Sequence, residues 1–194
     1  MPTLDKYEIR WVNPFIPETE GLSHKAFHSS ILDDDIGFGI YIPPDYGKNK
    51  KRYRTIYWLH GKGGDEGEGQ RCGIVKTLDN AIRSGDIESI ILILVNGTAY
   101  SMYADFYDGS IPAETAFIKE LIPHIDNNYL TLATPSGRCI EGFSMGGNGA
   151  LKIALKYPGV FSSAISCGGS FHDLDSIISN RKEVFQEVFS SKKN

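Results

Sequence analysis

The stretch Gly142-Phe143-Ser144-Met145-Gly146 limits the fold more than any other part of this 194-residue chain, because it leaves no loop between two unlike segments. Residues 138–143 have strand character and residues 147–157 helical character. A strand that becomes a helix across one residue folds its backbone back against itself. Side chains two positions before or after the serine would collide there, and both positions are glycine. Such a nucleophile elbow holds the Ser144 hydroxyl clear of the sheet. The helix behind it opens with backbone N–H groups that lack intrahelical partners, and that of Met145 is placed to receive a developing negative charge. Read alone, Gly-Ser-Gly is also a plain tight turn; the strand before it and the helix after it favour the elbow.

The rest of the chain supplies the sheet that an elbow needs. Thr55-Ile56-Tyr57-Trp58-Leu59 and Ile90–Val95 are apolar runs of strand length, the pattern of strands buried on both faces of a parallel sheet. Residues 69–83 repeat Ile74, Val75, Leu78 and Ile82 at helical spacing, with Gly85 as a cap. Residues 112–128 do the same with Phe117, Ile118, Leu121, Ile122 and Ile125; they start on Pro112 and are interrupted at Pro123. Residues 25–32 and 36–42 read as two strands around an acidic turn, Asp33-Asp34-Asp35, residues 161–167 as a sixth strand and residues 174–189 as the last helical element. This alternation predicts an α/β fold, a mainly parallel central sheet with helices on both faces, in one domain over residues 1–194.

Charge decides what such a domain is not built to bind. With 20 Lys and Arg against 24 Asp and Glu, the net charge of −4 gives no basis for contact with nucleic acid or an anionic membrane. No apolar run approaches the ~20 residues of a membrane span. Residues 1–10 lack the basic and apolar regions of a signal peptide, which favours the cytoplasm, although a processed export form fits as well.

Several motifs read more plainly as structure than as chemistry. Cys72, Cys139 and Cys167 form no CxxC pair, and two fall in strands, as small core side chains do. His24 and His28 share strand parity without a third ligand nearby and are expected as surface or edge residues, and His124 as a surface residue. His60-Gly61-Lys62-Gly63-Gly64 lacks the Ser or Thr after its lysine and the earlier glycine of a phosphate loop; its glycines instead let backbone approach a ligand. Asn96-Gly97-Thr98 reads as a turn at a strand end rather than a glycosylation site. Residues 99–110 carry Tyr100, Met102, Tyr103, Phe106 and Tyr107, and such a loop either lines a cleft or pins itself to the core.

Taken in order, these residues resemble the esterase D-like branch of the α/β-hydrolases, which includes feruloyl and acetyl-xylan esterases, S-formylglutathione hydrolase and mycolyltransferases. The resemblance runs from about residue 40 to residue 169. It is carried by Tyr41-Ile42-Pro43-Pro44-Asp45-Tyr46, Tyr57-Trp58-Leu59-His60-Gly61-Lys62-Gly63-Gly64 and Val95-Asn96-Gly97. It continues through Ser101-Met102-Tyr103-Ala104-Asp105, Lys119-Glu120-Leu121-Ile122-Pro123-His124-Ile125-Asp126 and Glu141-Gly142-Phe143-Ser144-Met145-Gly146-Gly147. The resemblance implies that Ser144 is the acyl-accepting nucleophile and that the N–H groups of Lys62 and Met145 form the oxyanion hole. It places His60 behind that hole, and it implies action on a small ester or acylated saccharide without metal or organic cofactor.

One departure sets the expectations apart from the family. This fold orders its triad Ser, acid, His along the chain. No Asp or Glu lies between Met145 and Phe171, and the only later histidine is His172, with Asp173 and Asp175 behind it. The expectation is therefore an N-terminal portion of the fold that lacks the strands carrying acid and histidine. His172 is a substitute base or a plain loop residue. A sixth strand left with an open edge predicts self-association. An acyltransferase and a non-catalytic binding protein of the same fold stand as alternatives.

Overall fold

The computed structural model describes residues 8–48, 50–180 and 182–189. Most of the segment read for a leader, one residue of the basic loop at 48–54 and one within the last helical stretch lie outside them.

Among the described residues six strands form one sheet: β1 (Leu22–Ser29), β2 (Asp34–Tyr41), β3 (Arg54–Leu59), β4 (Ile90–Val95), β5 (Arg138–Phe143) and β6 (Ser163–Cys167), in the order β1-β2-β4-β3-β5-β6. β1 and β2 are antiparallel, and β2 runs antiparallel to β4; β4, β3, β5 and β6 are mutually parallel. The apolar runs explain the middle of the sheet. Along β4, Ile91, Ile93 and Val95 enter one core cluster while Leu92 and Leu94 enter another, so both faces are buried.

Helices cover the two faces unequally. After α1 (Glu68–Arg71) the chain passes through Gly73, whose φ of 83° is left-handed, and starts α2 (Ile74–Ser84). The single helix expected over 69–83 is thus two, and α2 lays Ile74, Leu78 and Ile82 on Trp58 and Leu92. On the other face the helix expected over 112–128 is α3 (Ala113–Ala116), a π-helical stretch (Phe117–Leu121) and α4 (Ile122–Asn128). Pro123 has no N–H to donate and its ring would strike the carbonyl one turn back; the wider turns before it absorb both, and Leu121, Ile122 and Ile125 still reach the core. α5 (Met145–Lys156) packs beside them through Ala150 and Ile153. Beyond β6 lie α6 (Leu174–Asn180), α7 (Lys182–Val184) and a second π-helical stretch, Phe185–Phe189.

Three expectations need correction. Asp34 and Asp35 belong to β2, leaving Asp33 in the turn with a φ of 52°. His24 stands on the edge strand β1 but not at the surface: its side chain is 15% exposed, and its Nε2 lies 3.1 Å from the fully buried Glu66. The cysteines are not core residues either; Cys72 and Cys167 are exposed and Cys139 is half-buried. The cause for the latter pair is the open face of β5 and β6, where Cys139 pairs with Ser163, Glu141 with Ile165 and Phe143 with Cys167. Ile165 is 47% exposed and Phe143 52%.

Candidate active site

Ser144 sits between β5 and α5 with φ 53° and ψ −113°, a backbone conformation that non-glycine residues seldom hold. The neighbouring glycines make it fit. A Cβ on Gly142 would lie 2.3 Å from the Gly146 carbonyl group, and one on Gly146 would lie 2.1 Å from the Leu59 oxygen. The elbow is therefore wedged against the end of β3, where the next loop begins. The Ser144 N–H donates to the Cys167 carbonyl at 2.9 Å, and its own carbonyl accepts from Ser170 N–H at 3.2 Å. Among the described residues, no side chain hydrogen-bonds the Ser144 hydroxyl and no acceptor takes the Met145 N–H.

Lys62, Ser144 and Met145 line one cleft of about 220 Å³, with Tyr100, Met102 and Ser170 around them. The structure thus brings together the three residues that the sequence pointed to. A larger cleft, about 360 Å³, opens among Arg54, Ile90, Ser136 and Arg138 at the opposite end of the sheet. Ligands of open parallel sheets bind at the carboxyl ends of the strands, which is the Ser144 end.

The loop at Lys62 is fixed from beneath. Gly63 N–H donates to the Ala99 carbonyl at 2.7 Å, and Gly64 N–H to Gly61 at 3.1 Å. His60 is fully buried; its Nδ1–H donates to the Gly61 carbonyl at 2.8 Å and its Nε2 accepts from Gly97 N–H at 3.2 Å. That pair of bonds defines the neutral tautomer. Burial lowers the imidazole to about 4, with the Gly61 bond opposing, so it stays uncharged at neutral pH. Both nitrogens are engaged away from Ser144, which places His60 outside proton transfer with the serine.

His172 lies in an exposed stretch after β6 with its Nε2 3.0 Å from the Ser170 hydroxyl. Ser170 borders the cleft, so one hydroxyl separates His172 from it. Ser170 was not legible as a site residue: a serine three positions past an edge strand carries no pattern. Tyr103 was legible only as part of an aromatic loop, yet its ring fills a slot between two glycines, where a Cβ on Gly97 would come within 2.1 Å and one on Gly149 within 2.8 Å. The Tyr103 hydroxyl donates to the His60 carbonyl at 3.3 Å.

Sheet order, elbow and cleft together define a protein of the α/β-hydrolase fold. Solved structures share it: a ferulic acid esterase at TM-score 0.71 and 24% identity, covering 79% of this chain and 61% of that one, and an S-formylglutathione hydrolase from Staphylococcus aureus at TM-score 0.65 and 22% identity, covering 78% and 58%. The profile of the Esterase family matches residues 29–187, and the chain belongs to that family. Esterase MT1326 of Mycobacterium tuberculosis is 33% identical over 155 residues, 76% of this chain and 32% of that protein. The Endo-1,4-beta-xylanase/feruloyl esterase of Xylanibacter ruminicola is 35% identical over 146 residues, 68% of this chain and 19% of its own length. The chain spans about a third or less of these two curated relatives.

Proposed function

We propose that Ser144 is the nucleophile of a carboxylic-ester hydrolase whose oxyanion hole is formed by the N–H groups of Met145 and Lys62. The observation that carries this reading is the backbone of Ser144, held in a left-handed conformation at a cleft beside an unpaired helix N–H. Strain of roughly 1–3 kcal/mol persists only where the surroundings enforce it, and such residues cluster at functional sites. The Ser144 oxygen attacks the ester carbonyl, and the two N–H groups take up the charge on the carbonyl oxygen. The alcohol leaves with a proton, and water then releases the acid from the acyl-serine. Tyr100 and Met102 give the cleft an apolar wall suited to an acyl chain or aromatic acid. A substrate such as an acylated saccharide accords with the relative named a feruloyl esterase.

The proton of Ser144 needs an acceptor. His172 is the one histidine that follows Ser144 in the sequence, and it reaches the cleft through Ser170. Slow turnover is therefore expected, of the order of the 10³–10⁴ over water that an oxyanion hole and binding sustain without a complete triad. A second reading, a binding protein that keeps the fold without the chemistry, draws on the same absence of a side-chain partner for the Ser144 hydroxyl. Hydrolysis of p-nitrophenyl acetate and labelling by a fluorophosphonate, each compared with Ser144→Ala, decide between the two. Turnover and labelling that vanish in the variant support the hydrolase; equal rates near background support the binding protein.

A further inference from the structure

We propose that Lys152 is a positioning residue for the oxyanion loop, acting through the two left-handed residues Met102 and Tyr103. The functional half of this proposal rests on the reading of Ser144 and Lys62 given above; the structural half does not.

Lys152 lies on α5, eight positions after Ser144, with its ammonium turned inward. It donates to the Met102 carbonyl at 3.2 Å and to the Tyr103 carbonyl, and forms an ion pair with Glu114 at 3.2 Å. An ammonium has three protons, and three acceptors surround this one. Glu114, from α3, is itself 3% exposed and also holds Lys156 and, at 2.8 Å, the Tyr157 hydroxyl. The anion is therefore fixed from both sides, and it holds the cation in place.

The acceptors explain why a cation is needed at this half-buried position. Met102 and Tyr103 have φ values of 55° and 51°, a conformation costly for side-chain-bearing residues. Two successive left-handed residues turn both their carbonyls onto one point. Lys152 occupies that point. Without it the two oxygens would face each other unpaired, and the pair would relax toward ordinary backbone angles.

From Tyr103 the brace continues to the cleft. Its ring stands in the slot between Gly97 and Gly149, 5.6 Å from the His60 ring centroid, and its hydroxyl supports the His60 carbonyl. His60 bonds Gly61, next to Lys62, and Gly97, across from it. Met102 lines the cleft directly. One lysine on the nucleophile's own helix thus sets the distance between that helix and the loop carrying the second oxyanion donor. A shift of about 1 Å in such a donor costs on the order of 10²-fold in rate.

The test compares wild type with Lys152→Met, Lys152→Arg and the charge-neutral pair Lys152→Met/Glu114→Gln, which leaves no buried carboxylate unpaired. Each is first shown folded by circular dichroism. The expected result for the neutral pair is a roughly 10- to 100-fold fall in kcat for p-nitrophenyl acetate and in fluorophosphonate labelling rate, with KM within about threefold, and recovery of most of the loss in Lys152→Arg. Hydrogen exchange at residues 61–64 and 97–104 should quicken in the neutral pair and not in the arginine variant. A folded neutral pair with wild-type labelling and unchanged exchange overturns the proposal. If wild type itself shows no Ser144-dependent labelling, the nucleophile reading fails on its own, and exchange at residues 61–64 then decides the brace alone: faster exchange upholds it, unchanged exchange ends it.

Discussion

β3 lies between two strands and under helices on both faces, whereas β6 has one neighbour and an open face. Tyr57 and Leu59 on β3 are fully buried; Ile165 at the centre of β6 is 47% exposed. The cleft draws from both. Lys62 follows β3, and its loop is tied by Gly63, His60 and Tyr103 to elements that cannot move separately. Ser170 and His172 follow β6, and the exposed His172 bonds the Ser170 hydroxyl. On the function proposed above, the groups that take up charge stand on the more deeply buried half of the sheet, and those that would supply a base on the more exposed half.

The largest test of this contrast uses two glycines. Gly146→Ala would set a Cβ 2.1 Å from the Leu59 oxygen, backbone against backbone, and is expected to cost about 3 kcal/mol or more in urea unfolding. Gly168→Ala, beyond β6, meets nothing nearer than 3.8 Å and is strained only by its φ of 58°, so about 1 kcal/mol is expected. Equal losses would mean that the two regions are alike after all.

Next in size is the response to acid. The unfolded His60 imidazole titrates near 6.5, while burial holds the folded one at about 4, so between these values the unfolded chain binds the extra proton. The stability is fully present above pH 6.5 and falls as pH drops toward 4, by about 3 kcal/mol. Urea midpoints across that window should fall more steeply in wild type than in His60→Gln. Parallel slopes would place the histidine in contact with water.

Smaller still, Tyr103→Phe keeps the ring in its slot and removes one bond to the His60 carbonyl. A loss of about 1 kcal/mol is expected, with faster amide exchange in residues 61–64 as the marker of the loosened loop. The least change in stability is expected from Ile165→Lys, within about 0.5 kcal/mol, because that side chain is half in water already. Its effect should appear in sedimentation velocity: an open strand edge favours pairing with a second copy, and a lysine there opposes it. A wild type that stays monomeric at high concentration removes the self-association proposal.

The elbow was legible because its constraint is local: two glycines and a serine state where backbone meets backbone. β4 was legible nearly to the residue, since an unbroken apolar run bounded by polar residues leaves little choice of ends, and β5 was legible because the elbow fixes where it stops. What failed to show was every contact made across the sheet. Lys152 reads as an ordinary helix lysine, because the carbonyls that it serves lie some 50 positions away. His24 reads as a surface or edge residue until Glu66 folds beneath it, and Cys167 reads as core until β6 is seen at the edge. The break before α2 was visible in principle: Gly73 stands inside the helical pattern, as left-handed interruptions do.

The backbone of Ser144 carries one more consequence. Replacing it with glycine would release the left-handed strain and should make the protein more stable while removing its hydroxyl. Stability by itself would have favoured glycine at a position with glycines on either flank. On the role proposed for Ser144, the folded state gives up that stability to keep the hydroxyl.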